Sequence, residues 1–302
     1  MEFLPLEILQ MIFEYLDFKN KIILKLVCNY FYRGLVIYDL YNIDNIYLAR
    51  LTDEIIKSYP HLKYLDASFN PKITGITVPS TLIKLNITNN QYFVNLTNLT
   101  ELTELRAGFC FGLKNQSIEK CLKLEYLYLI STPNVTSIRH LTKLKFLDIS
   151  GASGVGNDEL KYCNQLVRLK IASNINITDL NCLGGLKKLN LSNYCLVENS
   201  GIMGCTNLRV LNLNDNNKIV DINHLINLEK LAACDDSISD KGFKNCVKLR
   251  ILKADRNRKI KDINSLVNLE LLSATYSCGL SKGGIEKCLK QSTIIHQGNR
   301  KI

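Results

Sequence analysis

Residues 208–216 read Leu-Arg-Val-Leu-Asn-Leu-Asn-Asp-Asn, and residues 82–90 read Leu-Ile-Lys-Leu-Asn-Ile-Thr-Asn-Asn. Both follow one frame, Leu-x-x-Leu-x-apolar-x-x-Asn, which also starts at Leu62 as Leu62-x-x-Leu65-x-Ala67-x-x-Asn70. Within the frame the central pair, such as Leu211 and Leu213, alternates with polar residues, the periodicity of a strand with one buried face. Outward from these copies the frame returns at Leu102, Leu124, Leu144, Leu166, Leu186, Leu208, Leu228, Leu249 and Leu269, giving about eleven units of 20 to 22 residues. No unit of that size can bury its apolar face alone, so the units must stack around one continuous core. The Asn that follows each strand (Asn70, Asn90, Asn174, Asn216 and Asn257) is placed to hydrogen-bond backbone groups at the bend. Weaker bends are expected where Cys110, Thr132, Ala152 or Tyr194 replaces it. A partial unit, Ile43-x-x-Ile46-x-Leu48, is expected to lead into the first full one.

A second period overlies the first. Cys121, Cys163, Cys205, Cys246 and Cys288 close every second unit, about 42 residues apart. Six residues before each stands Asn115, Asn157, Asn199, Asp240 or Lys282, mostly good helix N-caps. Long units are therefore expected to carry a short helix on the outer face. Short units, with Thr178-Asp179-Leu180, Val220-Asp221-Ile222 and Lys261-Asp262-Ile263, should carry a 3₁₀ or extended return. The frame resembles the leucine-rich repeat over roughly residues 43–295, and the long units resemble its cysteine-containing form. The fold that follows is an α/β solenoid, a curved array with a concave parallel β-sheet.

The first forty residues do not fit the frame. Leu4, Ile8, Leu9, Ile12, Phe13 and Leu16 recur at helical steps, with Pro5 where a helix start tolerates it. A second stripe, Ile22, Ile23, Leu26, Val27 and Phe31, follows a turn at Asp17-Phe18-Lys19-Asn20. Helices this short cannot bury a self-sufficient core, so they need either the array or a partner. Leu4-Pro5, Glu7-Ile8, Ile12-Phe13, Tyr15-Leu16-Asp17, Leu24, Val27-Cys28 and Phe31 resemble the F-box motif. The resemblance implies an F-box module at 1–40 ahead of a repeat array at 41–302, with a terminal cap near 285–302. It also implies docking onto a Skp-type adaptor, and through it a cullin–RING ubiquitin ligase. The residues that carry over to the docking surface are Leu4, Pro5, Ile8, Ile12, Phe13 and Leu16, completed by Val27, Cys28 and Phe31. The chain departs from many F-boxes in having no tryptophan.

Composition narrows the function further. No run of 18 apolar residues suits a membrane helix, and Glu2 and Glu7 without a basic segment do not read as a secretory signal. Eleven cysteines, with no Cys-x-x-Cys pair and mostly in core slots, suggest a reducing intracellular setting, cytoplasmic or nuclear. His61, His140, His224 and His296 do not converge on a metal site. The glycine-rich Ser150–Gly156 stretch follows a strand, where turn residues belong. Neither catalytic residues nor a cofactor are expected. The net charge of +10 raises nucleic acid as a partner, but the lysines are spread over the repeats and read as a solvated face.

Recognition is expected instead on the concave face, where exposed aromatic and arginine side chains suit a protein target. The candidates are Arg106, Tyr126, Tyr128, Phe146, Asp148, Arg168 and Lys170, with mutual stacking as the competing explanation for the aromatics. Later units, with Asn212, Asn214, Ala232 and Ser273, look blander. The expected function is a substrate receptor of an SCF-type ubiquitin ligase. The alternative is a scaffold or competitor that binds the adaptor without supporting ubiquitin transfer.

Overall fold

The computed structural model describes residues 4–41, 43–288 and 293–302. The chain divides into two compact units, residues 1–128 and 129–302.

The first unit opens with three helices, α1 (Leu6–Glu14), α2 (Phe18–Val27) and α3 (Asn29–Gly34). Asp17 caps α2 by accepting the backbone N–H of Asn20 at 2.8 Å, which satisfies one of the helix's orphan donors. Five parallel strands follow in sequential order: β1 (Asp39–Leu40), β2 (Tyr64–Asp66), β3 (Lys84–Asn86), β4 (Glu104–Arg106) and β5 (Tyr126–Tyr128). Between β1 and β2 lie two short helices, α4 (Asn45–Leu48) and α5 (Asp53–Lys57). The expected partial unit at 43–48 therefore contains helix α4 and no strand. The sheet begins earlier, at Asp39-Leu40, because Leu35, Ile37 and Leu40 are the apolar residues that reach the core. A further helix, α6 (Asn115–Ile118), sits between β4 and β5.

The second unit contains eight parallel strands, again each beside its sequence neighbour: β6 (Phe146–Asp148), β7 (Arg168–Lys170), β8 (Lys188–Asn190), β9 (Val210–Asn212), β10 (Lys230–Ala232), β11 (Ile251–Lys253), β12 (Leu271–Ser273) and β13 (Thr293–Ile295). The expected terminal cap is instead a further strand, β13, whose following Asn299 donates to Ala274 O and Leu280 O as in the other units. Helical outer segments occur in alternate turns: α7 (Asn157–Leu160), 3₁₀ turns at Asn199–Ile202 and Asp240–Phe243, and α8 (Lys282–Ile285).

In both units the repeat frame maps onto the core. The middle residue of every strand from β2 to β12 is a leucine no more than 2% exposed, each stabilising the stack by about 1.5–3 kcal/mol. The Asn ladder also forms. Asn90 Nδ2 donates to Ala67 O, Asn70 O and Ile73 O, and Asn257 Nδ2 donates to Ala233 O and Ile238 O. In the long units of the second half the slot is displaced one residue, to Ser153, Cys195, Ser237 and Cys278, all buried. These small side chains leave room for the next unit's Asn to reach back, as Asn216 does to Leu191 O and Cys195 Sγ. In the first unit, Cys110 fills the slot and donates its thiol to Ile87 O at 2.8 Å.

One expectation about caps is corrected. Asn157, Asn199 and Asp240 are the first helical residues, not N-caps; those positions are Gly156, Glu198 and Ser239. Their side chains reach forward into the next unit, accepting from Thr178 N (3.0 Å), Val220 N (2.8 Å) and Asp262 N (3.2 Å). A short outer turn has its own carbonyls to spare but leaves the following return without acceptors, and these side chains supply them.

Candidate functional site: protein-docking surfaces

On α1 and the residues that flank it the apolar side chains form two stripes, not one. Leu6, Leu9 and Leu16 are half-buried and Phe13 is wholly buried, while Leu4, Ile8, Met11, Ile12 and Tyr15 are exposed. Neighbouring helical residues diverge by about 100°, so Ile12 faces outward while Phe13 faces in, with Lys21 Nζ 5.8 Å from its ring. Phe13 therefore belongs to the core and does not lie on a docking surface. Inward packing is close: a methyl group on Gly34 would lie 2.5 Å from Leu6 Cδ1.

Gln10 fixes the pose of α1. Its Nε2 donates to Val36 O at 2.9 Å, and its Oε1 accepts from Val36 N at 2.8 Å. Lys25 donates to Leu35 O. These polar ties hold the helices against the chain that leads into the sheet, a function invisible in the apolar pattern. On the second half of the module Val27 is exposed, together with Ile23 and Leu26, while Cys28 and Phe31 are half-buried. Of the nine expected docking residues, Leu4, Pro5, Ile8, Ile12 and Val27 are exposed. Exposed apolar side chains gathered in so short a segment are candidates for an interaction surface. Met11 and Tyr15, on the same stripe, were not among the expected residues.

The strand face of the first unit holds a small cleft of about 200 Å³ lined by Asp39, Tyr41, Tyr64, Lys84, Glu104 and Arg106. Arg106 lies 4.9 Å from the Tyr128 ring centroid and 5.9 Å from that of Tyr41, and it pairs with Glu104 at 2.9 Å. Lys84 approaches the same carboxylate at 3.4 Å. Burial, set against the nearby guanidinium, pushes the Tyr41 phenol up to about 12. Arg106, Tyr126 and Tyr128 are on this face as expected, with Tyr126 exposed. Tyr41 lies outside any full repeat frame, which is why the periodic reading passed over it.

In the second unit Phe146 and Asp148 depart from expectation, at 5% and 4% exposed. Arg168 and Lys170 of the adjoining strand lie over the Phe146 ring at 5.7 and 5.8 Å, and Lys170 pairs with Asp148 at 3.7 Å. The two cations cover the residues beneath them, so Arg168 and Lys170 are the members of this group that a partner can reach.

Among the described residues no group of three His, Cys, Asp or Glu side chains could hold a metal ion, and no helix is long and apolar enough to cross a membrane. The ladder cysteines are free thiols; burial pushes Cys163, Cys205 and Cys246 up to about 12, far from nucleophilic readiness.

Comparison with known proteins agrees with this geometry. Residues 1–34 match the F-box domain family. An internalin (inlF) from Listeria monocytogenes superposes with a TM-score of 0.61 at 23% identity, covering 81% of this chain and 76% of that one. The functional domain of InlJ from the same organism, described as including a cysteine ladder, superposes with a TM-score of 0.57 at 18% identity, covering 87% of this chain and 64% of that one. At these identities the likeness is one of fold. No curated protein matches the chain. The stacked parallel strands, buried leucines and Asn ladder define a solenoid of the leucine-rich-repeat class. An F-box domain thus stands at residues 1–34, ahead of a solenoid of this class.

Proposed function

We propose that this protein is the substrate receptor of an SCF-type cullin–RING ubiquitin ligase. The observation that carries the reading is the exposed stripe of Leu4, Ile8 and Ile12 within a segment matched to the F-box domain. F-box domains bind Skp-type adaptors, and a Skp-type protein covering this stripe would remove it from water. The strand faces would hold the target, with Arg106, Tyr126 and Tyr128 as contacts in the first unit and Arg168 and Lys170 in the second. Catalysis in such an assembly is proximity. Holding target and ubiquitin-charged enzyme together raises their effective concentration, and no side chain of the receptor makes or breaks a bond.

Co-expression with a Skp-type adaptor tests the first step. The wild type should co-purify with it, and Ile12→Asp should not, because an unpaired charge in a buried interface costs about 3–5 kcal/mol. Unchanged capture by the variant would remove the docking assignment. Adding cullin and the ubiquitin-transfer enzymes then separates a working receptor from the alternative, a scaffold or competitor that occupies the adaptor without ubiquitin transfer.

A further inference from the structure

The strand face of the second unit carries a line of cations that the unit itself does not neutralise. In the first strand position, Arg168 is the direct partner of Lys188 across the parallel ladder, Lys188 of Val210, Val210 of Lys230, and Lys230 of Ile251. Arg168, Lys188 and Lys230 are exposed, as is Lys253 two positions along β11. Like charges directly opposite one another on a sheet destabilise it, and Arg168 and Lys188 are placed in that way.

Elsewhere in the same unit several arginines are paired from repeat to repeat. Arg209 meets Glu229 at 3.1 Å, Arg250 meets Glu270 at 2.6 Å, and Arg256 meets Asp235 at 2.6 Å. Among the described residues Lys188, Lys230 and Lys253 have no salt-bridge partner. Asp255, held by Ser273 and Thr275, places its charge beside Lys253, so the uncompensated cations of the line are Arg168, Lys188 and Lys230. Repulsion between Arg168 and Lys188, with Lys230 unpaired beside them, leaves the strand face with an unmet demand for anions.

From this arrangement we infer that the strand face of the second unit, centred on Lys188 and Lys230, binds an extended acidic segment of a protein. The inference rests on the reading of the strand faces as the target surface and names the chemistry of the target. The residues between the cations decide the class of partner. Val210 and Ile251 are aliphatic and half-buried, and Leu271 continues the line. Such positions receive the apolar side chains of a polypeptide, spaced between its carboxylates. Single-stranded nucleic acid is held by aromatic platforms, and the one aromatic of this line, Phe146, is already covered by Arg168 and Lys170. Strands are about 4.8 Å apart, so Lys188 and Lys230 stand roughly 10 Å apart, a span that three extended residues cross.

The test uses the full chain and fluorescence anisotropy with three labelled probes: a twelve-residue peptide repeating Glu-Glu-Leu-Leu, which when extended presents Glu and Leu in turn on each face, the same peptide with Gln for Glu, and oligothymidylate of equal charge. The acidic peptide should bind in a salt-dependent way, and Lys188→Glu/Lys230→Glu should weaken it about tenfold or more. Lys161→Glu/Lys241→Glu makes the same change in net charge on the outer helical segments and should change affinity by less than about twofold. Thermal unfolding shows whether each variant is folded, and Lys188→Gln/Lys230→Gln, which only removes charge, should give an intermediate loss. Equal losses in the two Glu doubles would show attraction to net charge alone and overturn the inference. Equal binding of the Gln peptide would do so too, as would tighter binding of oligothymidylate. Adaptor capture measured on the same preparations keeps the two ideas apart: peptide binding can fail while the adaptor is held, and the reverse.

Discussion

Asn216 shows how much one side chain does in a repeat. Its Nδ2 donates to Leu191 O at 2.8 Å, and its Oδ1 accepts from Lys218 N and Ile219 N at 2.9 and 3.1 Å. Leu fits the volume but satisfies none of these buried groups. Asn216→Leu should therefore cost about 2–4 kcal/mol in urea unfolding, and a loss below the error of the measurement would mean the ladder is ornamental. The cysteines act through burial. A thiol held near 12 when folded ionises near 9 once unfolded, so above pH 9 the unfolded chain loses protons that the native one keeps. Stability is full below pH 9 and declines as pH rises toward 12. A melting temperature that falls steadily from pH 9 to 11 would bear this out. At pH 8 a thiol reagent should modify exposed Cys182 at once, and the ladder thiols only on denaturation. The Asn slots were readable from the sequence. Their one-residue displacement was not: at Cys195 and Ser237 it depends on two consecutive left-handed residues, Asn193 with Tyr194 and Asp235 with Asp236. Neither pair advertises that conformation by containing glycine.

At the scale of the element, each short return needs an acceptor for a single inward N–H. Leu180 N, Ile222 N and Ile263 N donate to Gly201 O, Gly242 O and Gly284 O at 2.7, 2.7 and 2.8 Å. That approach leaves no space for a side chain: a methyl group on Gly242 would lie 2.2 Å from Val220 O. Gly242→Ala should separate the two turns and cost about 1–3 kcal/mol, measured by chemical denaturation; a neutral result would mean the turns slide apart freely. In the unit that has Glu159 in place of this glycine, a different device appears. The carboxylate accepts from Ile138 N at 2.9 Å, Arg139 N at 3.1 Å and Ser137 Oγ at 2.9 Å. Burial works to raise its pKa, but Arg139 and these donors outweigh it and hold the group below the usual carboxylate range. The alternation of long and short outer segments was legible from the cysteine period. The solution at the long-to-short step was not, because glycine and glutamate answer the same need by different chemistry.

For the whole molecule, the functional surfaces are set by what the fold leaves uncovered. The docking stripe of α1 should fail with Ile12→Asp, and the lysine line with Lys188→Glu/Lys230→Glu, each without loss of the other activity. Period and motif alone determined the repeat architecture, the parallel strands with buried leucines, and the F-box segment, because these follow from residue type at fixed spacing. Only the tertiary structure decided which apolar residue of α1 faces out, since Ile12 and Phe13 are equally apolar and differ only in direction. Tertiary structure likewise decided that Phe146 and Asp148 are covered, because their cover comes from the next strand. The lysine line could be seen only with the strands side by side: Arg168, Lys188 and Lys230 are separated by whole repeats in sequence, and neighbouring strands bring them into one line. Patterns along the chain report burial, whereas neighbours across the sheet determine which charges meet.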